Sequence, residues 1–380
     1  MSIVLLVLGI ILIVGLIVSH EFGHFIVARR NGVEIEEFGI FFPPRIYSHT
    51  TKAGWVFSIN ALPLGGFVKL KGEHDSDREP GTYGAAKLLA KCKILLAGVT
   101  VNLITGLVLL TVLAVIGMPQ VINNQYTVKS NTKLLTRRVI INDVVAGSPA
   151  AKAGLRVGDQ LTGFVQSGGK DTVAITQADK LRSLTQKFAG KTVAVHYERD
   201  GKSQIVQVHF LSSNSNYELG VGTQQMNLSR STWAAPLVAL GLGGQLIIAT
   251  LQGLGHSLAG LGGLIAGAVT HNTVARQNGQ SAATANLTGP VGIFAILRST
   301  SALGYQFVLF IVAYISLVLA FMNILPIPVV DGGRLYITLI TRAIKRPLTA
   351  KREEAINLAS VIVLLFLFVL ITIADVKRFY

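Results

Sequence analysis

The most informative part of the sequence is His20-Glu21-Phe22-Gly23-His24, which has the form H-E-x-x-H. On a helix, residues four apart lie on one face, so His20 and His24 can direct their imidazoles at one metal ion. Glu21 then lies beside that ion, where it can act on a water molecule. The alternative is a soluble helix that carries two histidines and a glutamate by chance.

The residues before this motif argue against the soluble helix. Residues 3–18 form an almost uncharged apolar run that leads directly into the motif. Metal-binding and charged side chains at the end of a membrane-length segment are costly and usually have a function. The run has neither a basic segment before it nor a small-residue cleavage site after it, so we interpret it as a retained transmembrane helix, from about Ser2 to Arg30.

The composition is that of a multi-pass membrane protein. The chain has 380 residues, of which 51% are hydrophobic and 14% are charged, whereas soluble domains carry about 25% charged residues. The net charge of +15 is not arranged in basic runs interleaved with aromatic residues, so we expect no nucleic-acid partner. Because Cys92 is the only cysteine, the chain has no internal disulfide, and any zinc must be held by histidines and carboxylates.

Residues 33–71 have a different pattern. Alternating segments separated by prolines and by a pair of glycines predict two or more short strands, which could form a small sheet near the membrane. The open edge of such a sheet could receive an extended peptide as an additional strand. A plain structural hairpin is the alternative.

Three further apolar runs predict transmembrane helices at residues 94–118, 305–325 and 356–373. The second helix contains Asn102, which could either join helices or point at the active site. The glycine-rich residues 233–268 could form a membrane helix, a re-entrant segment or surface helices. Polar residues 271–286 are predicted to be a loop. The positive charges that follow the first and third helices place both loops in the cytoplasm, which favours four crossings.

The third predicted helix runs into Asn323-Ile324-Leu325-Pro326-Ile327-Pro328-Val329-Val330-Asp331-Gly332-Gly333. Its two prolines break the helix, so Asp331 is expected on irregular backbone, which membrane proteins tolerate where it lines a polar site. Asp331 could be a metal ligand, or an ordinary turn residue before two glycines.

Residues 121–211 have the character of a soluble domain. The segment from Gly147-Ser148-Pro149-Ala150 to Gly158-Asp159 resembles the G-S-P-A-x-x-A-G-L-x-x-G-D signature of bacterial PDZ domains. That resemblance implies a domain that takes peptide ends by strand addition. A domain that only screens the site sterically is the alternative.

The order of these motifs resembles the site-2 protease family, in particular the bacterial RseP-type intramembrane zinc metalloproteases with a single PDZ domain. The resemblance implies a Zn²⁺ cofactor with His20, His24 and Asp331 as its ligands and Glu21 as the general base. It also implies that Asn323 and Asn102 contact substrate. In the family, the residue that corresponds to Asn102 often ends a G-P-x-x-N pattern. Here the segment is Gly98-Val99-Thr100-Val101-Asn102, which lacks the proline.

The predicted fold is therefore a multi-pass α-helical membrane protein with about four transmembrane helices, a membrane-associated β-hairpin or sheet, and an inserted α+β PDZ domain. Its expected parts are an N-terminal membrane core at 1–120, the PDZ domain at 121–213, a membrane-associated linker at 214–304, and a C-terminal membrane core at 305–380.

The resemblance implies a zinc metalloendopeptidase of the bacterial plasma membrane. Its expected substrates are single-span membrane proteins, for example anti-sigma factors, with the active site near the cytoplasmic side and the PDZ domain outside. Two alternatives are a membrane-tethered zinc protease that acts on soluble peptides, and a membrane-anchored PDZ scaffold with a non-catalytic metal site.

Overall fold

The computed structural model describes residues 2–74, 77–166, 171–199, 201–212, 217–285, 288–328, 330–345 and 349–379. Val329 and the last residues of two predicted segments, 213 and 286, lie outside these ranges. The described chain forms two compact units. One consists chiefly of residues 111–238 and 301–307, and the other of residues 3–110, 239–300 and 308–380.

Ten helices occur in the described residues. In chain order they are α1 (Ser2–Arg30), α2 (Leu88–Ile116), α3 (Pro149–Lys152), α4 (Leu181–Lys187), α5 (Ala235–Val269), α6 (Thr273–Ala285), α7 (Pro290–Ser301), α8 (Tyr305–Ile324), α9 (Asp331–Ala343) and α10 (Ala350–Phe379). Helix α1 has 29 residues and so is about 43 Å long, enough to cross a bilayer core of about 30 Å and continue past it.

Five of the described helices, not four, are long and apolar enough to cross a membrane: α1, α2, α5, α8 and most of α10. The predicted count of about four is therefore not exact. It followed from the charges of the loops, which favoured four crossings, whereas residues 233–268 form most of the 35-residue helix α5, the first of the three possibilities considered for them. Which side of the membrane each loop faces stays a prediction from charge.

Helix α6 corrects a second prediction, since a loop was expected at residues 271–286. Side chains placed on Gly260 or Gly267 of α5 would collide with the backbone of α6 at Ala283 and Arg276. The glycines therefore let the two helices approach closely, and this packing outweighs the low helix propensity of the polar segment.

The predicted strands of residues 33–71 form one curled sheet from two long antiparallel strands, β1 (Ile35–Thr50) and β2 (Val56–Leu70). Both strands bend, so residue Phe57 of β2 pairs with Phe38 on one side and with His49 on the other. The last part of β2 pairs with the first part of β1, from Ile35 opposite Leu70 to Ile40 opposite Gly66. Each strand is thus divided by its bend into two arms, and the four arms lie side by side in the sheet.

The base of this sheet is held against α1 and α2 by an apolar cluster. Its buried members come from the end of α1, the end of β2, the start of α2, the second turn of α9 and two adjoining loops: Ala28, Val33, Leu70, Tyr83, Ile94, Leu95 and Leu335. The partly buried Ile35 of β1 and Val68 of β2 pack against them. Burial of these side chains joins α1, both strands, α2 and α9, because the free energy gained is proportional to the apolar area removed from water.

The other unit is built on an antiparallel sheet. Its strands are β3 (Met118–Pro119), β4 (Lys133–Val144), β5 (Gln160–Gln166), β6 (Val173–Ala174), β7 (Thr192–Arg199), β8 (Lys202–His209) and β9 (Val221–Arg230). The strand order is β3-β9-β4-β5-β7-β8, with β6 on β5. Because β9 pairs along β4 from Lys133 to Val144, the sheet continues beyond residue 213.

The signature residues of this unit have clear structural roles. The Ser148 side chain accepts a hydrogen bond from the Ala151 amide and caps α3. Asp159 is buried and receives two short hydrogen bonds of 2.6 Å from Arg199 on β7. Gly158 has a φ of +95°, which residues with a Cβ rarely adopt. The signature therefore folds the loop between β4 and β5.

The segment Gly289-Pro290-Val291-Gly292-Ile293 begins α7, and a carboxylate from α10 caps it. The buried Asp375 accepts hydrogen bonds from the backbone amides of Gly289 at 2.8 Å and Gly292 at 2.7 Å. A carboxylate suits this position because the first amides of a helix lack partners and carry partial positive charge.

Candidate metal centre

Two ligand atoms of the centre come from successive turns of α1. The Nε2 atoms of His20 and His24 lie 3.3 Å apart, and the two rings meet edge to face with 4.9 Å between their centroids. Both histidines are 8% exposed. The four-residue spacing therefore brings both imidazoles to one point, as the sequence predicted.

The third ligand atom comes from Asp331, the first residue of α9. Its Oδ2 atom is 3.1 Å from Nε2 of His20 and 3.2 Å from Nε2 of His24. Oδ2 is buried and has no hydrogen-bond donor. A buried carboxylate oxygen without a donor is costly, and its position against two imidazole nitrogens is what a shared cation requires. In the described residues these three side chains form the one group suited to hold a metal.

A backbone carbonyl fixes the orientation of His24. Its Nδ1 atom lies 2.7 Å from the carbonyl oxygen of Ile94 on α2. Since a carbonyl can only accept, Nδ1 carries the proton, and the lone pair of Nε2 is free for a metal.

Asn102 fixes the orientation of His20 in the same way. Its side-chain amide lies 3.1 Å from Nδ1 of His20, while its Oδ1 atom is buried without a partner. A rotation of the amide by 180° exchanges these two atoms. Oδ1 then accepts the Nδ1 proton, and Nε2 is again left with a free lone pair. The Ser316 hydroxyl donates to the backbone carbonyl of Asn102 at 2.7 Å and so joins α8 to this part of α2.

Glu21 lies between the two histidines in sequence and interacts electrostatically with His20, His24 and Asp331. Strand β2 passes directly over it, since a Cβ on Gly66 would lie 3.0 Å from Cγ of Glu21. The Glu21 carboxylate therefore lies beside the three ligand side chains, where it can transfer protons, and close to the free edge of the curled sheet.

Asn323 is half-buried in the last turn of α8. The backbone that follows it is packed tightly against α9, because a Cβ on Gly332 would collide with the carbonyl groups of Ile324 and Leu325. In the described residues no hydrogen bond joins Asn323 to the three ligand side chains. Its predicted role with substrate, and that of Asn102, stay predictions.

Gly98 on α2 also belongs to the site, although the sequence predicted no role for it. A Cβ at this position would lie 2.6 Å from Nε2 of His20 and closer still to Nε2 of His24. Neither this contact nor the Ile94 carbonyl has a sequence signal, because both depend on how closely α2 packs against α1.

Gly98→Ala is expected to weaken zinc binding by about 10- to 100-fold, the range seen when groups around metal ligands are disturbed. The new methyl group would overlap both Nε2 atoms and displace the imidazoles from their present positions beside Asp331. Gly15→Ala is a matched control, because Gly15 also lies in a long helix but a Cβ there meets nothing within 4 Å. Chelator competition on both proteins measures the difference. Equal affinities would contradict the packing described.

The donor set fits zinc. Two imidazole nitrogens and one carboxylate oxygen are typical ligands of Zn²⁺, and catalytic zinc sites use three protein ligands with a fourth position open. The profile of peptidase family M50, the family of site-2 proteases, matches residues 8–367 of this chain. The chain belongs to peptidase family M50.

Relatives in the family agree with the donor set. The chain is 28% identical over 362 residues to a protein of Clostridium perfringens named "Putative zinc metalloprotease", covering 95% of each chain. It is 26% identical over 386 residues to a protein of the same name from Rickettsia conorii, covering 98% and 99%. It is 23% identical over 456 residues to the "Probable protease eep" of Enterococcus faecalis, covering 96% and 97%.

The M50 chain described here is therefore a zinc metalloprotease, and its long apolar helices make it a membrane protein. Membership of the family argues against the membrane-anchored scaffold with a non-catalytic metal site.

Proposed function

We propose that this M50 protease cuts transmembrane segments of single-span membrane proteins. The observation that supports it most is the position of His20, Glu21 and His24 on α1, a 29-residue helix in which residues 3–18 form an uncharged apolar run before the motif. A site on such a helix is reached by chains within the membrane more readily than by soluble peptides. The family setting favours a bacterial plasma membrane and substrates such as anti-sigma factors.

In this proposal His20, His24 and Asp331 hold the zinc ion. A zinc ion held by these residues would supply Lewis-acid chemistry, namely polarisation of the scissile carbonyl and activation of water at neutral pH. Glu21 accepts a proton from the attacking water and delivers it to the leaving amine. The Ile94 carbonyl and Asn102 keep both imidazoles in the tautomer that presents Nε2 to the ion. Asn102 thus has an orienting role in addition to any contact with substrate.

A helical substrate must unwind before its amides can be attacked. The arm of β2 that begins at Gly66 pairs with β1 on one side only in the described residues, and it passes over Glu21. Its free edge can therefore hydrogen-bond an unwound segment as an additional strand. Asn323, close to the start of α9, is proposed to hold the substrate backbone on the other side.

Residues 121–213, with β9, are proposed to form a PDZ domain that gates access. The signature loop folds as described above, and a groove of about 260 Å³ lies between α4 and the segment that begins β9. Leu181 and Thr185 on α4 line it opposite Leu219 and Val221. In this proposal the domain admits substrates whose outer part has already been trimmed.

Excision of the domain tests the gating role. Pro119 and Leu228 pair in adjacent strands, so residues 120–227 can be replaced by a two-glycine link with little displacement of either end. The excised enzyme is expected to cut an untrimmed substrate at least 10 times faster than the intact enzyme. Both enzymes should cut a trimmed substrate equally fast, which controls for folding. Equal rates on the untrimmed substrate would exclude gating.

The proposed substrate class is tested with purified enzyme and one substrate sequence in two forms. One form is a single-span protein in liposomes, and the other is its membrane segment as a soluble peptide. We expect cleavage of the first within the span, and its abolition by a zinc chelator. Cleavage restricted to the soluble peptide would favour a membrane-tethered protease of soluble substrates.

A further inference from the structure

The position of Asp331 depends on how the first turn of α9 is held. Val330 precedes the helix and provides no side-chain cap. Gly332 and Gly333, which follow Asp331, have no side chains with which to anchor the turn. Arg334 is therefore the first side chain after Asp331 that can anchor the turn through polar or aromatic contacts.

Arg334 makes three such contacts with two residues, Glu73 and Tyr83, and we call this pair of residues the 73–83 anchor. One terminal nitrogen donates to the backbone carbonyl of Glu73, and the other lies 3.4 Å from the Glu73 carboxylate. The guanidinium carbon lies 4.5 Å from the centre of the Tyr83 ring. A guanidinium over an aromatic face is attracted to it, and more strongly where water is excluded.

The 73–83 anchor is itself well fixed. The Glu73 carboxylate accepts a hydrogen bond from the Leu70 amide at 3.0 Å, and the Tyr83 amide donates to the Lys71 carbonyl at 2.8 Å. Tyr83 is 2% exposed, and the ammonium of Lys91 on α2 lies 5.3 Å from its ring centre. Arg334 thus joins the start of α9 to the end of β2 and the first turn of α2.

We propose that Arg334 is a positioning residue for Asp331: its contacts with Glu73 and Tyr83 hold the first turn of α9 so that the Asp331 carboxylate reaches His20 and His24. This inference rests on the proposed role of Asp331 as a zinc ligand. An arginine is required because its planar guanidinium can donate to two oxygens and lie on an aromatic ring at once, whereas a lysine ammonium is a single compact charge.

The test measures zinc affinity by chelator competition on purified full-length protein, for Arg334→Gln, Arg334→Lys and Asp331→Ala. Arg334→Gln is expected to bind zinc about 10- to 100-fold more weakly, and Arg334→Lys less weakly than Arg334→Gln. Asp331→Ala should show the largest loss. Arg342→Gln is the matched control, since it removes an exposed arginine from the last turn of the same helix.

The double variant Asp331→Ala/Arg334→Gln separates positioning from general destabilisation. If Arg334 acts through Asp331, the double variant binds zinc no more weakly than Asp331→Ala alone, because the effects of coupled residues are not additive. Additive losses, or an Arg334→Gln variant with wild-type affinity, would overturn the inference. Wild-type affinity in Asp331→Ala would instead overturn the ligand role itself. Thermal unfolding of each variant shows that the proteins compared are folded.

Discussion

Glu21→Gln is expected to keep its zinc and to lose about 10²- to 10⁴-fold of its cleavage rate, the contribution typical of a general acid–base residue. The amide has almost the same shape as the carboxylate, so the packing under Gly66 is preserved. An amide cannot accept the proton from water at neutral pH. The three ligand atoms come from other side chains, so zinc content should stay at the wild-type value.

The control for this variant is Glu79→Gln, which changes an exposed carboxylate in the loop before α2. It should cut at the wild-type rate. Rates are measured on a single-span substrate in detergent, with zinc determined on the same preparations. A Glu21→Gln enzyme that retains more than about a tenth of the wild-type rate would remove Glu21 from the role of base. A variant without zinc would show that Glu21 contributes to metal binding.

His24→Ala is expected to abolish stable zinc binding and, with it, cleavage. The change removes one of three converging ligand atoms and leaves the Ile94 carbonyl without its donor. The loss in zinc affinity should exceed the 10- to 100-fold loss that is typical when a residue in contact with a metal ligand is changed. Zinc per protein after dialysis against a chelator measures it.

His256→Ala provides the comparison, because His256 is an exposed histidine on another long helix, α5. It should retain the wild-type zinc content and cleavage rate. Full zinc content in His24→Ala would show that the ion is bound elsewhere, and the centre described above would then not be the catalytic one.

The sequence predicted the local parts of the site well, because their geometry follows from spacing alone. Histidines four residues apart on one helix must share a face, and the apolar residues before them require a membrane-length helix. Asp331 was harder, since an aspartate before two glycines is also an ordinary turn. The contacts with His20 and His24 of 3.1 Å and 3.2 Å depend on distant segments that the spacing does not report.

The failures have a common physical cause, which is packing between elements that local sequence patterns do not report. The glycines of α5 lower helix propensity locally, yet they allow the close approach of α6. The double pairing of Phe57 in the curled sheet depends on bends in both strands. Gly98 and the 73–83 anchor likewise gain their roles only when α2 and α9 meet the rest of the site.

X-ray absorption at the zinc edge of the purified, zinc-loaded protein identifies the atoms bound to the metal. We expect only nitrogen and oxygen donors, at about 2.0–2.2 Å, with the scattering pattern of two imidazoles. A sulfur donor at about 2.3 Å would have to come from Cys92, the one cysteine in the chain. That result, or a spectrum without two imidazoles, would contradict a zinc centre built from His20, His24 and Asp331.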